Sequence, residues 1–242
     1  MKKLGKKARR ALVSVIAVVV VAGVGLGIAG IWYYTMMHPA APKLKSDVIK
    51  VACVGDSITY GFGVSGRKDN AYPAQLQALL GDDCQVLNYG LSRRSLLKET
   101  TKPNRPYTAE KFYGLSQEAQ PDIVVIMLGS NDTRPENWDA AQYEKELEEF
   151  VLVYKGLASE PTVYLMLPPP FYEPKTTHSN TILEDELIPL ILRVAARTNV
   201  ETIDVHSGLV NRPELFNKDG LHPTADGARV IAETVYGAIT RG

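Results

Sequence analysis

Cysteine and histidine are scarce in this chain: Cys53 and Cys84 are the only cysteines in 242 residues, and His38, His178, His206 and His222 the only histidines. With no C-x-x-C pair and no Cys/His cluster, no metal site is read from the sequence. Cys53 falls within an expected strand and Cys84 at the edge of another, which reads as two buried thiols, although a location outside the cytoplasm would permit a disulfide. A surplus of charge is also lacking, but the formal zero is a cancellation. From Val48 onward about 19 basic residues face about 26 acidic ones, a balance that argues against a nucleic-acid partner.

Apolar runs of membrane-crossing length are absent except at the start. Lys2, Lys3, Lys6, Lys7, Arg9 and Arg10 precede an uncharged run from Ala11 to Tyr34. That run of roughly 24 residues is enough to cross a hydrocarbon core and too long for the apolar region of a cleaved signal peptide. Trp32, Tyr33 and Tyr34 close it as an aromatic belt would. The sequence therefore predicts a basic cytoplasmic tail (1–10), a transmembrane anchor (11–34) and everything after it outside the cytoplasm. Gly23 and Gly27 form a G-x-x-x-G, which reads as the small residues common in any membrane helix. A Pro-containing linker at 35–47 then leads into one domain, 48–242, long enough to bury a substantial core.

Five short apolar runs read as fully buried strands: Ile49–Val54, Gln85–Tyr89, Ile123–Leu128, Val163–Leu167 and Val200–Val205. Helical patterns alternate with them. Between Ala140 and Leu157, Tyr143, Leu147, Phe150, Val151, Tyr154 and Leu157 share one face, with Glu144, Lys145, Glu148 and Glu149 opposite. A last helix begins near Thr224, an expected N-cap, and carries Ala228, Ile231, Val235 and Ile239 on one face. Strands without polar alternation, separated by helices, predict a five-stranded parallel sheet in a three-layer α/β/α domain. Ligands of such sheets gather beyond the carboxyl ends of the strands, so residues that follow strands are the candidates for chemistry.

Three segments meet that condition. Gly55-Asp56-Ser57 follows the first strand and puts a hydroxyl near the start of a helix, whose free amides favour negative charge. Asp219-Gly220-Leu221-His222 precedes the last helix. A serine hydroxyl needs a base to accept its proton, and the base needs an acid to fix its tautomer; an Asp three residues before a His can supply that acid from the same loop. Gly129-Ser130-Asn131-Asp132 follows the third strand, where the Asn131 amide could donate to an oxyanion. Read separately, each is an ordinary turn.

Together, in this order and on these strands, the segments resemble the GDSL or SGNH hydrolase superfamily over about residues 49–240. The resemblance implies a flavodoxin-like fold, Ser57 as nucleophile, His222 as general base and Asp219 as its orienting acid. It also implies an oxyanion site built from the Ser57 amide, an amide after the second strand and the Asn131 side chain, with no metal or organic cofactor. One block departs from the pattern. Where the family often reads N-x-G-x-S-G, this chain has Asn88-Tyr89-Gly90-Leu91-Ser92-Arg93, so Arg93 stands in the place of the donating glycine. Its amide survives the exchange, but glycine's steric freedom does not. The G-x-S-x-G elbow of α/β-hydrolases is absent.

The remaining histidines lack partners at useful spacing and are read as non-catalytic, and Asp204 is an alternative acid to Asp219. The stretch Gly129–Trp138 resembles that of family members linked to carbohydrate deacetylation, and Pro168-Pro169-Pro170-Phe171 suggests a rigid rim with an aromatic surface. The expectation is a membrane-anchored, extracytoplasmic serine esterase acting on O-acyl, foremost O-acetyl, esters of carbohydrate or small molecules. Its rivals are a lysophospholipase or short-chain lipase of the same fold, a noncatalytic binding module, and transfer of the acyl group to a sugar.

Overall fold

Five apolar runs pair as one parallel sheet in the computed structural model, which describes residues 21, 22, 25, 27, 30, 31, 34–172 and 177–241. They are β1 (Ile49–Gly55), β2 (Cys84–Gly90), β3 (Ile123–Met127), β4 (Thr162–Leu167) and β5 (Glu201–Asp204), ordered β2-β1-β3-β4-β5. Side chains alternate across β1: Val51 and Cys53 face one layer, Ala52 and Val54 the other, and all four are buried. This two-sided burial is why the strands read as continuous apolar runs. On the first face lie α2 (Tyr72–Leu80) and α6 (Ala225–Ile239), following the one-turn α1 (Ser57–Tyr60). On the second lie α3 (Lys111–Glu118), α4 (Ala140–Lys155) and α5 (Ile188–Thr198).

The chain divides into two compact units, Met1–Ala40 and Ala41–Gly242. Residues 41–47, expected as linker, fall within the second unit, where Gln85 binds the Lys45 amide and the Lys43 carbonyl. The expected tail and anchor at 1–34 lie largely outside the described residues. Among the described residues no helix is long and apolar enough to cross a membrane.

Local chemistry sets the element ends. Asp139 caps α4 by accepting from the Gln142 amide, and Thr224 caps α6 by accepting from Gly227. The fifth strand is shorter than its apolar run because the Val200 amide closes α5 on the Ala195 carbonyl and the Val205 amide turns back to Ile203. Two features escape the apolar pattern: a π-helical turn at Ile182–Leu187, and a two-residue parallel ladder of Arg94–Ser95 with Arg105–Pro106. Cys53 is fully buried, which pushes its thiol up to about 12, whereas Cys84, expected to be buried, is only partly covered at the start of β2; both are free thiols.

Candidate active site

The order β2-β1-β3 makes the carboxyl ends of β1 and β3 a topological switch point, where connecting chains leave in opposite directions and open a crevice. Ser57 emerges there from β1 and Asn131 from β3. Gly90, at the end of β2, lies so close to the backbone of α1 that a Cβ would overlap the Tyr60 amide. The Asp56 carboxylate caps α1 by accepting from the Ile58 amide at 2.9 Å. Because α1 is a single turn, any anion near Ser57 meets the individual free amides at its start rather than the dipole of a long helix.

The segment 217–222 folds back on itself to present Asp219 and His222 together. Asn217 donates from its backbone and its side chain to the His222 carbonyl, at 2.8 and 3.0 Å, and Gly220 donates to the Asn217 carbonyl at 2.8 Å. Gly220 has φ +66°, and a Cβ there would overlap the Tyr172 carbonyl. The Tyr172 amide donates to the Gly220 carbonyl at 2.7 Å, which ties this loop to the one following β4.

His222 Nδ1 lies 2.7 Å from Asp219 Oδ2, and His222 Nε2 lies 2.9 Å from Ser57 Oγ. With Nδ1–H donating to the carboxylate, Nε2 carries the lone pair and accepts from the serine hydroxyl. The other carboxylate oxygen accepts from the Leu221 and His222 amides, both at 3.0 Å. Partial burial raises the pKa of Asp219, but the bonds from the His222 ring and the two amides outweigh it and hold the carboxyl well below the usual range. Phe62 packs its ring 4.6 Å from the His222 ring. Ser57 and His222 are both buried.

Asn131 is buried beside them, yet its Nδ2 is not an unoccupied donor: it bonds the Arg94 carbonyl at 3.0 Å and reaches Asp56 Oδ2 at 3.3 Å. The second contact is long, and its hydrogen is the one a substrate oxygen can take over. Arg93 has φ +63°, so arginine occupies the left-handed backbone conformation that suits glycine, with its side chain exposed. Beneath these donors lie two buried carboxyls. Burial, with the charge of Asp132 adding to it, pushes Asp56 up to about 7. Burial pushes Asp132 up to about 6, although the Leu96 and Leu97 amides, at 3.0 and 2.8 Å, pull the other way.

The other candidates are placed elsewhere. Asp204 is taken up by the Ser207 amide and hydroxyl, at 2.9 and 2.6 Å. His206 Nδ1 lies 2.8 Å from the Pro168 carbonyl, and His38 stacks on Tyr34 within the first unit. His178, read as a polar-loop residue, is buried against Phe171; burial, then the charges of Arg134 and His222, push it down to about 4. The aromatic surface expected at Phe171 is not formed. That residue is only 2% exposed and packs in the core, while the Asn180 side chain accepts from its amide and donates to its carbonyl. Arg94, Asn217 and Phe62 were not anticipated. The Asn-x-Asp-Gly turn chemistry of 217–220 offered a signal for Asn217; nothing in the pattern set Arg94 apart from Arg93.

Comparison with known proteins finds relatives of the chain and of its fold. The model of the GDSL-like lipase/acylhydrolase family matches residues 53–230. An acetylxylan esterase of Xylanibacter ruminicola is 34% identical over 216 residues, covering 82% of this chain, and the chain spans 44% of that relative's length. Among solved structures, a carbohydrate acetylesterase family member from Sinorhizobium meliloti superposes with a TM-score of 0.64 at 22% identity, covering 79% of this chain and 97% of its own. A lipase/acylhydrolase from Enterococcus faecalis does so with a TM-score of 0.62 at 24% identity, covering 79% and 95%. These two likenesses establish the fold.

Proposed function

From the premise that the chain belongs to the GDSL-like lipase/acylhydrolase family, we propose that it is a membrane-tethered serine esterase that removes O-acetyl groups from carbohydrate outside the cytoplasm. The observation that carries the chemistry is the unbroken hydrogen-bond chain from Ser57 through His222 to Asp219. Ser57 Oγ attacks the acyl carbon as its proton passes to His222 Nε2, and the imidazolium so formed is held by Asp219, which stays ionised. The developing oxyanion is met by the Ser57 and Arg93 amides and the Asn131 side-chain amide. His222 returns the proton to the departing sugar oxygen, leaving acyl-Ser57. Water, giving its proton to His222, then releases acetate and restores the serine.

Support for the acetyl and carbohydrate parts comes from the similarity to an acetylxylan esterase, together with the Gly129–Trp138 stretch. Support for the tether comes from the apolar run behind six basic residues.

The test is acetate release from acetylated xylan and hydrolysis of p-nitrophenyl esters of increasing acyl length. Acetyl is expected to exceed octanoyl, and Ser57→Ala is expected to lose on the order of 10⁶ in rate. Faster turnover of long chains would redirect the reading to a lipase, and an active Ser57→Ala would end the serine mechanism. The full-length protein is expected in the membrane fraction, with its domain open to external protease on intact cells. A mature form in the medium starting after about residue 40 would mean a cleaved signal instead.

A further inference from the structure

Arginine is almost never fully buried unless paired, yet Arg94 is 1% exposed, directly behind the turn that carries Arg93. Its guanidinium donates to the Ser92 carbonyl at 2.6 Å and pairs with Glu110 at 3.0 Å. Its own carbonyl accepts from Asn131 Nδ2 at 3.0 Å. The residues on either side are fastened as well: the Arg93 carbonyl accepts from the Arg105 amide at 3.1 Å, and Leu96 and Leu97 donate to Asp132. The Asn131 carbonyl in turn accepts from Asn104 at 3.1 Å. The guanidinium thus spans the turn: it holds Ser92 on one side of the Arg93 amide, while the carbonyl of the same residue holds the Asn131 amide on the other.

We propose that Arg94 is a positioning residue for the oxyanion site, its partly buried pair with Glu110 fixing the Ser92–Arg94 turn so that the Arg93 amide and the Asn131 side chain converge on one point. It touches no substrate. The energetic logic is that a left-handed arginine at 93 costs conformational energy, and the turn needs an external clamp to keep it where glycine would have been tolerated without one. The Arg94 guanidinium supplies that clamp through a hydrogen bond to the Ser92 carbonyl and a charge contact of its Nε with Glu110 Oε1, which also faces Arg105 Nε at 3.5 Å. The inference rests on the serine-esterase reading above.

The experiment measures kcat, KM and the pH profile on p-nitrophenyl acetate, and affinity for phenylboronic acid, which forms a tetrahedral anionic adduct on an active-site serine. For Arg94→Met, kcat is expected to fall about 10²-fold with KM within about threefold, the scale of losing one oxyanion donor. Boronate affinity is expected to fall in step, while the pH profile keeps its shape because the Ser57–His222–Asp219 chain is intact. Asn131→Ala added to Arg94→Met is expected to cost clearly less than Asn131→Ala alone, since both act on one converging site. Should Arg94→Met not fold, Arg94→Lys and Glu110→Gln carry the same measurements, each expected to show a smaller loss in kcat at unchanged KM. Undiminished kcat, a loss lying in KM, unchanged boronate affinity, or full additivity with Asn131→Ala would each overturn the inference. If the wild type has no Ser57-dependent hydrolysis, the functional reading falls and the inference with it; if the wild type is active and the Arg94 variants match it, only the inference falls.

Discussion

At Arg93 a side chain and a backbone amide belong to the same residue but have separable costs. If the amide alone serves the oxyanion, Arg93→Ala keeps most of the rate on p-nitrophenyl acetate, whereas Asn131→Ala, which deletes a donor, loses about 10²–10³-fold. Equal losses in the two variants would assign the guanidinium to substrate. Arg93→Gly has a further consequence. Relief of the left-handed backbone, about 1 kcal/mol, opposes the extra unfolded-chain entropy of glycine, about 0.4–1 kcal/mol. Stability by urea titration is therefore expected to stay near the wild-type value, and a loss beyond about 1 kcal/mol would mean that the φ of +63° carries no strain. Ser57, His222 and Asp219 were legible as residue types in sequence because each sits in a short turn after a strand or before a helix. Arg94 was not. Two adjacent arginines look alike in a sequence, and only burial shows that one faces solvent and the other the interior.

Among the elements, the loop between β5 and α6 is held by contacts at close range. Gly220 holds φ +66° against the Tyr172 carbonyl, so Gly220→Ala must both strain the backbone and push the two loops apart. The expected result is a stability loss of about 2 kcal/mol or more. A fall of at least tenfold in kcat/KM on p-nitrophenyl acetate accompanies it, as Asp219 and His222 move relative to Ser57. Wild-type activity in that variant would show that the loop is not held by its contact with Tyr172. The helices were readable where amphipathic period and caps agree, as in α4 and α6. They were less so where a polar group turns inward: Glu146 lies on α4 between the predicted faces, yet it is buried and accepts from the Lys98 amide. The ladder of Arg94–Ser95 with Arg105–Pro106 is too short to leave a periodic signal.

Across the whole molecule, the buried carboxyls couple folding to pH. Asp56 and Asp132 hold their protons up to about 7 and about 6 in the fold, against about 3.9 in an unfolded chain. Between those values the folded protein binds protons that the unfolded chain has released, so their contribution is full below about pH 4 and declines as pH rises through about 7. Asp219 runs the other way, adding stability above about pH 4, and stays ionised between pH 5 and 8. His178, pushed down to about 4, opposes Asp56 and Asp132 by adding stability as pH rises to about 6.5. The fall in urea midpoint is therefore expected chiefly from about pH 6.5 to pH 8, and less steeply in Asp56→Ser, which keeps an oxygen for the Ile58 amide; parallel slopes would remove Asp56 as a source. The sequence by itself determined the parallel α/β/α architecture and the positions of the chemical turns. Apolar runs buried on both faces leave a period that local reading detects, and turns demand particular residues. Only the tertiary structure decided the distances from Ser57 to His222, the occupied donors of Asn131, the interior course of Phe171 and the Arg94–Glu110 strut. Those depend on segments distant in sequence meeting at one end of a sheet, where desolvation, not local propensity, sets which polar groups must pair.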